Sequence, residues 1–91
     1  MVYINLRVNV ADYDKWRASF DANESSRKSA GSTGVNQYYR DVDNPNNVTL
    51  VLEWEAADKA QAFLNDPNTK ASMDAAGVTG RPAVVAVMVK A

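Results

Sequence analysis

The stretch RPAVVAVMVK, residues Arg81–Lys90, decides the fold that we predict for this chain. Every residue from Ala83 to Val89 is apolar, most of them are β-branched, and the proline stands only at the start. Such a stretch is typical of a β-strand that is buried on both faces. Helices of the same chain can cover one of these faces. The second face needs another cover, and we expect a second copy of the protein to supply it.

The first part of the chain predicts a strand followed by a helix. Val2–Val10 alternates apolar and polar residues, which is typical of a strand with one apolar face. Asp12 is a candidate N-cap, and the helix that it opens is predicted to continue to Gly31. The apolar stripe of this helix consists of Tyr13, Trp16 and Phe20.

The remaining segments predict a hairpin and two short helices. The strands Val35–Arg40 and Val48–Trp54 are separated by a loop that is rich in turn-forming residues. Apolar spacing between Ala56 and Leu64 predicts one short helix. The pair Asp66-Pro67 is typical of a helix start, and we expect this second helix to span Asn68 to Ala76. The order of elements is therefore β-α-β-β-α-β.

Right-handed crossovers between these elements favour an α+β fold of the ferredoxin-like type. Its four-stranded antiparallel sheet has the expected order 4-1-3-2, with all helices on one face. A chain of 91 residues suits a single domain, residues 1–91. The face away from the helices mixes polar and apolar side chains, namely Tyr3, Asn5, Arg7, Thr49, Val51 and Glu53. Because such a face is too apolar to stay exposed, we expect two sheets to pair into a dimeric barrel.

Composition excludes several classes of function. The chain has no cysteine and no histidine, which removes disulfides, thiolate chemistry, the commonest general base and the commonest transition-metal ligand. Ten basic and eleven acidic residues give a net charge of −1 without a basic stripe, so a nucleic-acid partner is not expected. No leader segment and no long apolar run is recognised. We therefore expect a soluble, cytoplasmic protein with no membrane partner and no metal.

Five groups of residues follow one another along the chain: Val10–Trp16 with Phe20-Asp21, Asp43–Val48, Glu53-Trp54, Ala60–Leu64, and Met73–Val78 with Gly80 and Pro82. In this order they resemble the dimeric α+β barrel superfamily, in particular antibiotic-biosynthesis-monooxygenase-like proteins and small proteins labelled as cyclases. The resemblance implies a homodimer with a small cavity between helices and sheet. In some relatives it implies cofactor-independent oxygenation or cyclisation of polyketide-like aromatics, while others degrade haem, isomerise lactones or have no known activity. It transfers no catalytic residue, and the absence of histidine speaks against haem degradation.

Six side chains are candidates for ligand binding: Tyr13, Trp16, Arg7, Tyr38, Arg40 and Trp54. Tyr13 and Trp16 either line a pocket or form the core stripe of their helix, and core packing is favoured because a small domain needs such residues. Arg7 either binds an anionic oxygen or pairs with Glu53 on the neighbouring strand, and the ion pair is favoured. Tyr38 and Arg40 either stabilise an oxyanion together or pack across strands, and packing is favoured.

Two further groups of charged residues are predicted to have structural roles. Arg27 and Lys28 follow the pattern of a solvated helix end, unless one of them turns towards the cavity mouth and attracts an acidic ligand. Asp41, Asp43 and Asn44 resemble oxygen ligands of a hard cation, but the spacing of a calcium loop is missing. Turn formation is the favoured interpretation of this segment.

Two functions are compatible with the sequence. The favoured one is a dimeric module that binds a small apolar or aromatic molecule between helices and sheet without catalysis. The alternative is a monooxygenase or cyclase that acts on a polyketide-like aromatic without metal or organic cofactor, by proton abstraction followed by reaction with oxygen or ring closure. Flavin and nicotinamide are not expected, because no glycine-rich phosphate motif is present. A roomy cavity with convergent Asn, Tyr and Arg would favour the enzyme, and a filled cavity would favour the module.

Overall fold

The computed structural model describes residues 1–91 as one four-stranded sheet with four helices. The elements are β1 (Val2–Val10), α1 (Tyr13–Ala22), α2 (Glu24–Ala30), β2 (Ser32–Arg40), β3 (Asn47–Trp54), α3 (Ala57–Asn65), α4 (Pro67–Ala75) and β4 (Val78–Met88). All three strand pairs are antiparallel, and the sheet order is β2-β3-β1-β4. This is the predicted order 4-1-3-2 counted from the opposite edge. The predicted α+β, ferredoxin-like fold is therefore confirmed.

The core lies between one face of the sheet and the helices. Every second residue of β1 from Val2 to Val10 is buried, as the alternation predicted, and so is every second residue of β3 from Val48 to Trp54. The two strands are in register through pairs such as Leu6 with Leu50. Side chains from the helices cover this face, namely Tyr13, Trp16, Phe20, Ala60, Phe63, Leu64 and Met73. Each large apolar side chain that is fully buried here contributes about 1.5–3 kcal/mol to folding.

The helix that was predicted to run from Asp12 to Gly31 is in fact two helices that meet at Asn23. The Asn23 Nδ2 donates to the carbonyl of Ser19 at 3.1 Å, and its backbone N–H donates to the carbonyl of Phe20 at 3.2 Å. Asparagine competes in this way with the regular helical hydrogen bonds, so α1 ends there. The predicted cap at Asp12 is confirmed, because its Oδ1 accepts from the Lys15 N–H at 3.2 Å.

Gly31 ends α2 and brings the chain close to α3. Its φ of 128° lies in the region that favours glycine. A Cβ at this position would stand 2.7 Å from Cδ of Lys59 and 3.3 Å from the ring of Trp54. Close approach and backbone conformation therefore both require a residue without a side chain.

The hairpin and the short helices agree with the prediction apart from their ends. Strand β2 begins at Ser32 instead of Val35, because Ser32 pairs with Trp54 before an irregularity that extends to Asn36. The start of α4 is as predicted, with Pro67 as its first residue. In addition, Oδ1 of Asp66 accepts from the N–H of Asn68 at 2.9 Å.

Strand β4 differs most from the prediction. It begins at Val78, so Pro82 lies inside the strand and not at its start. The pairing of β4 with β1 is irregular around this proline. The pairs Asn9–Thr79 and Arg7–Ala83 are two positions apart on β1 but four positions apart on β4, so β4 bulges there and accommodates Pro82. A second register shift occurs next to Val85. Because every position beyond Pro82 in the strand is apolar, β4 keeps an apolar residue towards the helices despite both shifts.

The face of the sheet away from the helices is open in the single chain. On the edge strand β4, Val85 is 58% exposed, and Val84, which stands opposite the buried Leu6 on the helix side, is 49% exposed. The expected cover of one strand face by the helices of the same chain is therefore incomplete, and neither face of β4 is fully buried within one chain. On the opposite edge, Val35 and Tyr39 of β2 are 58% and 55% exposed. None of the helices has the length and apolar character needed to cross a membrane.

Candidate functional site

A cavity of about 330 Å³ lies between the helices and the sheet. Its floor consists of apolar side chains of the two central strands, namely Leu6, Val8, Leu50 and Leu52. One wall is formed by α1 and α2, and the opposite wall by Phe63 of α3 together with α4. The volume is within the range of natural small-molecule sites. The cavity is therefore the candidate functional site of this chain.

Aromatic and thioether side chains make the inner walls suited to a flat apolar molecule. Trp16 is only 2% exposed and stacks on Phe20, with ring centroids 5.2 Å apart and planes inclined by 26°. Phe63 and Met73 line the cavity from the other side. Such walls contribute dispersion and stacking energy to any planar ligand without fixing its orientation.

Arg27 is the charged group that the cavity wall buries. Its side chain is 6% exposed, and its guanidinium carbon lies 3.5 Å from the ring centroid of Phe20. Nη1 donates to the carbonyl of Phe20 at 2.6 Å, whereas Nε has no partner. The prediction of a solvated helix end is therefore wrong for Arg27, although Lys28 is exposed as expected.

Burial lowers the pKa of Arg27 without removing its charge. Loss of water lowers the pKa of its guanidinium, and this effect outweighs the opposing influence of Tyr38, Glu24 and Asp21. The ion pairs of the structure join Arg7 to Asp41, Arg17 to Asp21 and Lys59 to Glu55, and none includes Arg27. An arginine stays protonated at neutral pH even so. The wall therefore presents a positive charge without a contacting carboxylate.

Polar groups gather where the two walls approach solvent. Asn23 and Ser26 belong to the first wall, and Asn68 and Ser72 to the second. Asp66 is the only carboxylate that lines the cavity, and it is exposed. Because one of its oxygens caps α4, the other remains available to a ligand.

Of the six sequence candidates, Trp16 alone lines the cavity. Tyr13, Tyr38 and Arg40 belong to a separate cluster of stacked aromatic and guanidinium groups. The Arg40 guanidinium lies 4.1 Å from the ring centroid of Tyr13, and that of Arg17 lies 3.6 Å from the ring centroid of Tyr38. The ring of Tyr38 meets Trp16 edge-on at 6.4 Å. Tyr38 and Arg40 therefore pack as predicted, but against helix α1 and not across the strands.

Arg17 strengthens this cluster. Its guanidinium donates to the Tyr13 hydroxyl at 3.4 Å and to Asp21 at 3.0 Å. Partial burial lowers the pKa of Arg17, but the hydrogen bonds to Tyr13 and Asp21 and the nearby Tyr38 raise it above its ordinary value. The cation is thus firmly held, and it is directed at the aromatic rings of the cluster.

Arg7 and Glu53 do not form the ion pair that was considered for them. Arg7 stands opposite Thr49, and Glu53 stands opposite Tyr3, so their positions are separated along the strands. Nη2 of Arg7 instead contacts Oδ2 of Asp41 at 2.9 Å. Glu53 accepts from the Thr33 hydroxyl at 2.8 Å. Since the Arg7 side chain is 45% exposed, its ion pair contributes about 1 kcal/mol at most.

Trp54 lies deeper than a ligand could reach. Its side chain is fully buried, its ring lies 4.7 Å from that of Phe63, and its indole Nε1 has no hydrogen-bond partner. It does not line the cavity. Trp54 supports the site only indirectly, by holding Phe63 in place.

The loop between β2 and β3 has the turn structure that was predicted. Oδ1 of Asn44 accepts from the Asn46 N–H at 3.1 Å, and its carbonyl accepts from the Asn47 N–H at 3.0 Å. Oδ2 of Asp41 contacts Arg7 and Asn47. No group of three or more acidic, histidine or cysteine side chains is placed to hold a metal ion.

Sequence reasoning placed Arg27 at the cavity only in its less favoured alternative, and it did not assign Asn23 or Asp66 to the site. A signal for the first two was present, because they follow Trp16 by eleven and seven residues, which is the spacing of one helix face. When a charged residue falls on the predicted apolar face of a helix, either that face is predicted wrongly or the charge is buried. Asp66 gave no such signal, because its role as an N-cap explains it fully.

No protein-family model and no curated protein matches this chain. Among solved structures, a provisionally assigned antibiotic biosynthesis monooxygenase from Bordetella bronchiseptica superposes with a TM-score of 0.76 at 17% identity, over 99% of this chain and 96% of that one. SnoaB, a cofactor-independent oxygenase from Streptomyces nogalater, superposes with a TM-score of 0.66 at 17% identity, over 93% and 90%. These identities are too low to transfer an activity. The chain therefore has the fold of the antibiotic biosynthesis monooxygenases, as its sequence resemblance indicated.

Proposed function

We propose that this protein binds a small, flat, apolar or aromatic molecule in the cavity between helices and sheet. The observation that carries the proposal is the open volume of about 330 Å³ between the walls formed by Trp16, Phe20, Phe63 and Met73. A core that served stability alone would close such a space, because unfilled volume costs stability. Residues 1–91 act as one domain in this proposal, and two copies pair through the open sheet face. The cytoplasmic location stays a prediction.

Ligand binding can be followed through the two tryptophans of the chain. We expect 2-naphthol, a neutral flat probe, to shift the indole N–H signal of Trp16 saturably in ¹⁵N-labelled protein, and to move that of Trp54 far less. The Trp54→Phe variant assigns the two signals. Ala76→Phe, which fills the cavity from its lining, is expected to weaken binding at least about tenfold, or 1.4 kcal/mol. Equal shifts of both signals, or unchanged affinity in Ala76→Phe, would contradict the proposal.

The alternative function is that of a cofactor-independent oxygenase. It is favoured by the open cavity, whose lining includes Asn23, Asn68 and Arg27 although no tyrosine, and by the carboxylate of Asp66. The shared fold with SnoaB, which is described as such an enzyme, also favours it. In this alternative, Asp66 removes a proton from an activated CH2 carbon of the ligand, and the resulting carbanion gives one electron to molecular oxygen. The two radicals combine, the proton returns to form a hydroperoxide, and loss of water leaves a ketone. No other lining residue offers a base that is free at neutral pH.

Asp66→Asn separates the oxygenase from the binding module. Asparagine caps a helix as well as aspartate does, so α4 is expected to keep its start while the base is lost. With anthrone as test substrate, oxygen consumption is expected to fall about a hundredfold, the typical contribution of a general base. Asp58→Asn, an exposed acid in the first turn of α3, is the matched control. If the unaltered protein consumes no oxygen with anthrone, the binding function stands and the oxygenase is withdrawn for this substrate class.

A further inference from the structure

The positive charge of Arg27 forms no ion pair within the protein, although Glu24 and Asp21 act on it from a greater distance. Three other cationic side chains, those of Arg7, Arg17 and Lys59, do form ion pairs. They are 37% to 50% exposed, so water already stabilises their charges. Arg27 is 6% exposed and contacts no carboxylate. Burying an unpaired charge is unfavourable, because the protein replaces the lost water only in part. The guanidinium of Arg27, a buried cation without an ion-pair partner, thus lies in the cavity wall.

The contacts that Arg27 does make compensate its charge only in part. Phe20 supplies a ring face and one carbonyl, which occupy Nη1 and one side of the guanidinium plane. The Nε–H remains without an acceptor. Asp66, the single carboxylate of the lining, forms no ion pair with Arg27 and caps α4 instead. An arginine that served only to cap α1 would not require a position on a cavity wall.

We propose that the ligand of this cavity carries an anionic oxygen, such as a carboxylate or an enolate, and that Arg27 binds it. The inference rests on the proposed function and specifies its ligand class. Donors on a planar guanidinium match two oxygens of a carboxylate, and the apolar floor and aromatic walls receive the remaining body. Binding gives the buried charge of Arg27 an anionic partner. The ligand is thus an amphiphile with a flat apolar body and one acidic oxygen group.

The test compares 2-naphthoate with 2-naphthamide, which has the same ring system and nearly the same shape but no charge. Calorimetric titration of the unaltered protein is expected to give a dissociation constant at least tenfold lower for the naphthoate. In Arg27→Met the naphthoate is expected to lose at least tenfold in affinity while the naphthamide changes less than threefold. Lys28→Met, the exposed neighbour, is expected to leave both affinities unchanged.

Each outcome has a distinct meaning. Equal affinities of the two probes for the unaltered protein would overturn the inference and leave the binding function intact. Equal weakening of both probes in Arg27→Met would assign Arg27 a structural role only and also overturn it. If neither probe binds the unaltered protein, the proposed function fails and the inference fails with it. Should Arg27→Met not fold, the same two affinities are measured for the unaltered protein and for Arg27→Lys, which keeps the charge but not the planar donors. An equal preference for the naphthoate in both proteins would show that the planar donors of Arg27 do not bind it.

Discussion

Replacing Trp54 with alanine is expected to lower the free energy of unfolding by about 3 to 5 kcal/mol, as deletion of a large buried aromatic generally does. Trp54 is fully buried and stands where three elements meet. It pairs with Val2 of β1 and Ser32 of β2, and its ring packs on Phe63 of α3. A domain of 91 residues has a total stability of roughly 5 to 14 kcal/mol, so this one change removes a large share of it.

Urea denaturation followed by circular dichroism measures this loss of stability. Two further variants serve as controls. Trp54→Phe is expected to lose much less, because phenylalanine fills most of the space and lacks the indole N–H that has no partner in the core. Val42→Ala changes a loop residue that is fully exposed and is expected to stay within about 0.5 kcal/mol of the unaltered protein. A Trp54→Ala variant that unfolds at the same urea concentration as Val42→Ala would show that Trp54 is not a centre of packing.

Elements with local signals could be predicted from the sequence. The alternation of Val2–Val10 depends only on which residues follow one another, and the structure buries every second side chain as expected. The caps at Asp12 and Asp66 are equally local, because each carboxylate binds an N–H two or three residues further on. Right-handed crossovers then leave few ways to arrange four strands, so the sheet order followed.

Features that depend on distant partners could not be predicted in this way. The start of β2 at Ser32 is set by its pairing with Trp54, and the start of β4 at Val78 is set by its pairing with Val10. Neither residue carries a strong signal of its own. The proline in β4 is tolerated because the ladder is already interrupted there, which is a property of the register with β1. Local propensity gives way to tertiary pairing at each of these points.

The site shows the same division between local and tertiary information. Trp16 was identified because an aromatic residue on an apolar stripe faces the core, and in this chain the core contains the cavity. Arg27 was assigned to solvent because cations near a helix C-terminus usually remain exposed. Whether such a side chain turns outward or inward depends on what lies beneath it, and here Phe20 offers both a ring and a carbonyl at the end of α1.

Replacing Val51 with lysine is expected to dissociate the proposed homodimer. Val51 lies at the middle of the sheet face away from the helices, between Asn5 of β1 and Gln37 of β2. Together with Tyr3 and Met88 it lines a shallow depression of about 400 Å³ on that face. An unpaired ammonium buried between two sheets would raise the dissociation constant about a thousandfold, or 4 kcal/mol. Sedimentation velocity over a range of concentrations measures the change.

The single chain can accept the same lysine, and this makes the experiment specific to assembly. Because Val51 is only half-buried in one chain, a lysine stem can lie along the sheet with its charge in water, so the circular dichroism spectrum should be preserved. Val42→Lys is the matched control in a fully exposed loop and should leave the dimer intact. Loss of the dimer should also expose the outer face of β4, where Met88 stands opposite Tyr3, and hasten exchange of the amide hydrogens of this strand. A monomeric unaltered protein, or a Val51→Lys dimer of unchanged affinity, would show that the apolar last strand needs no second copy.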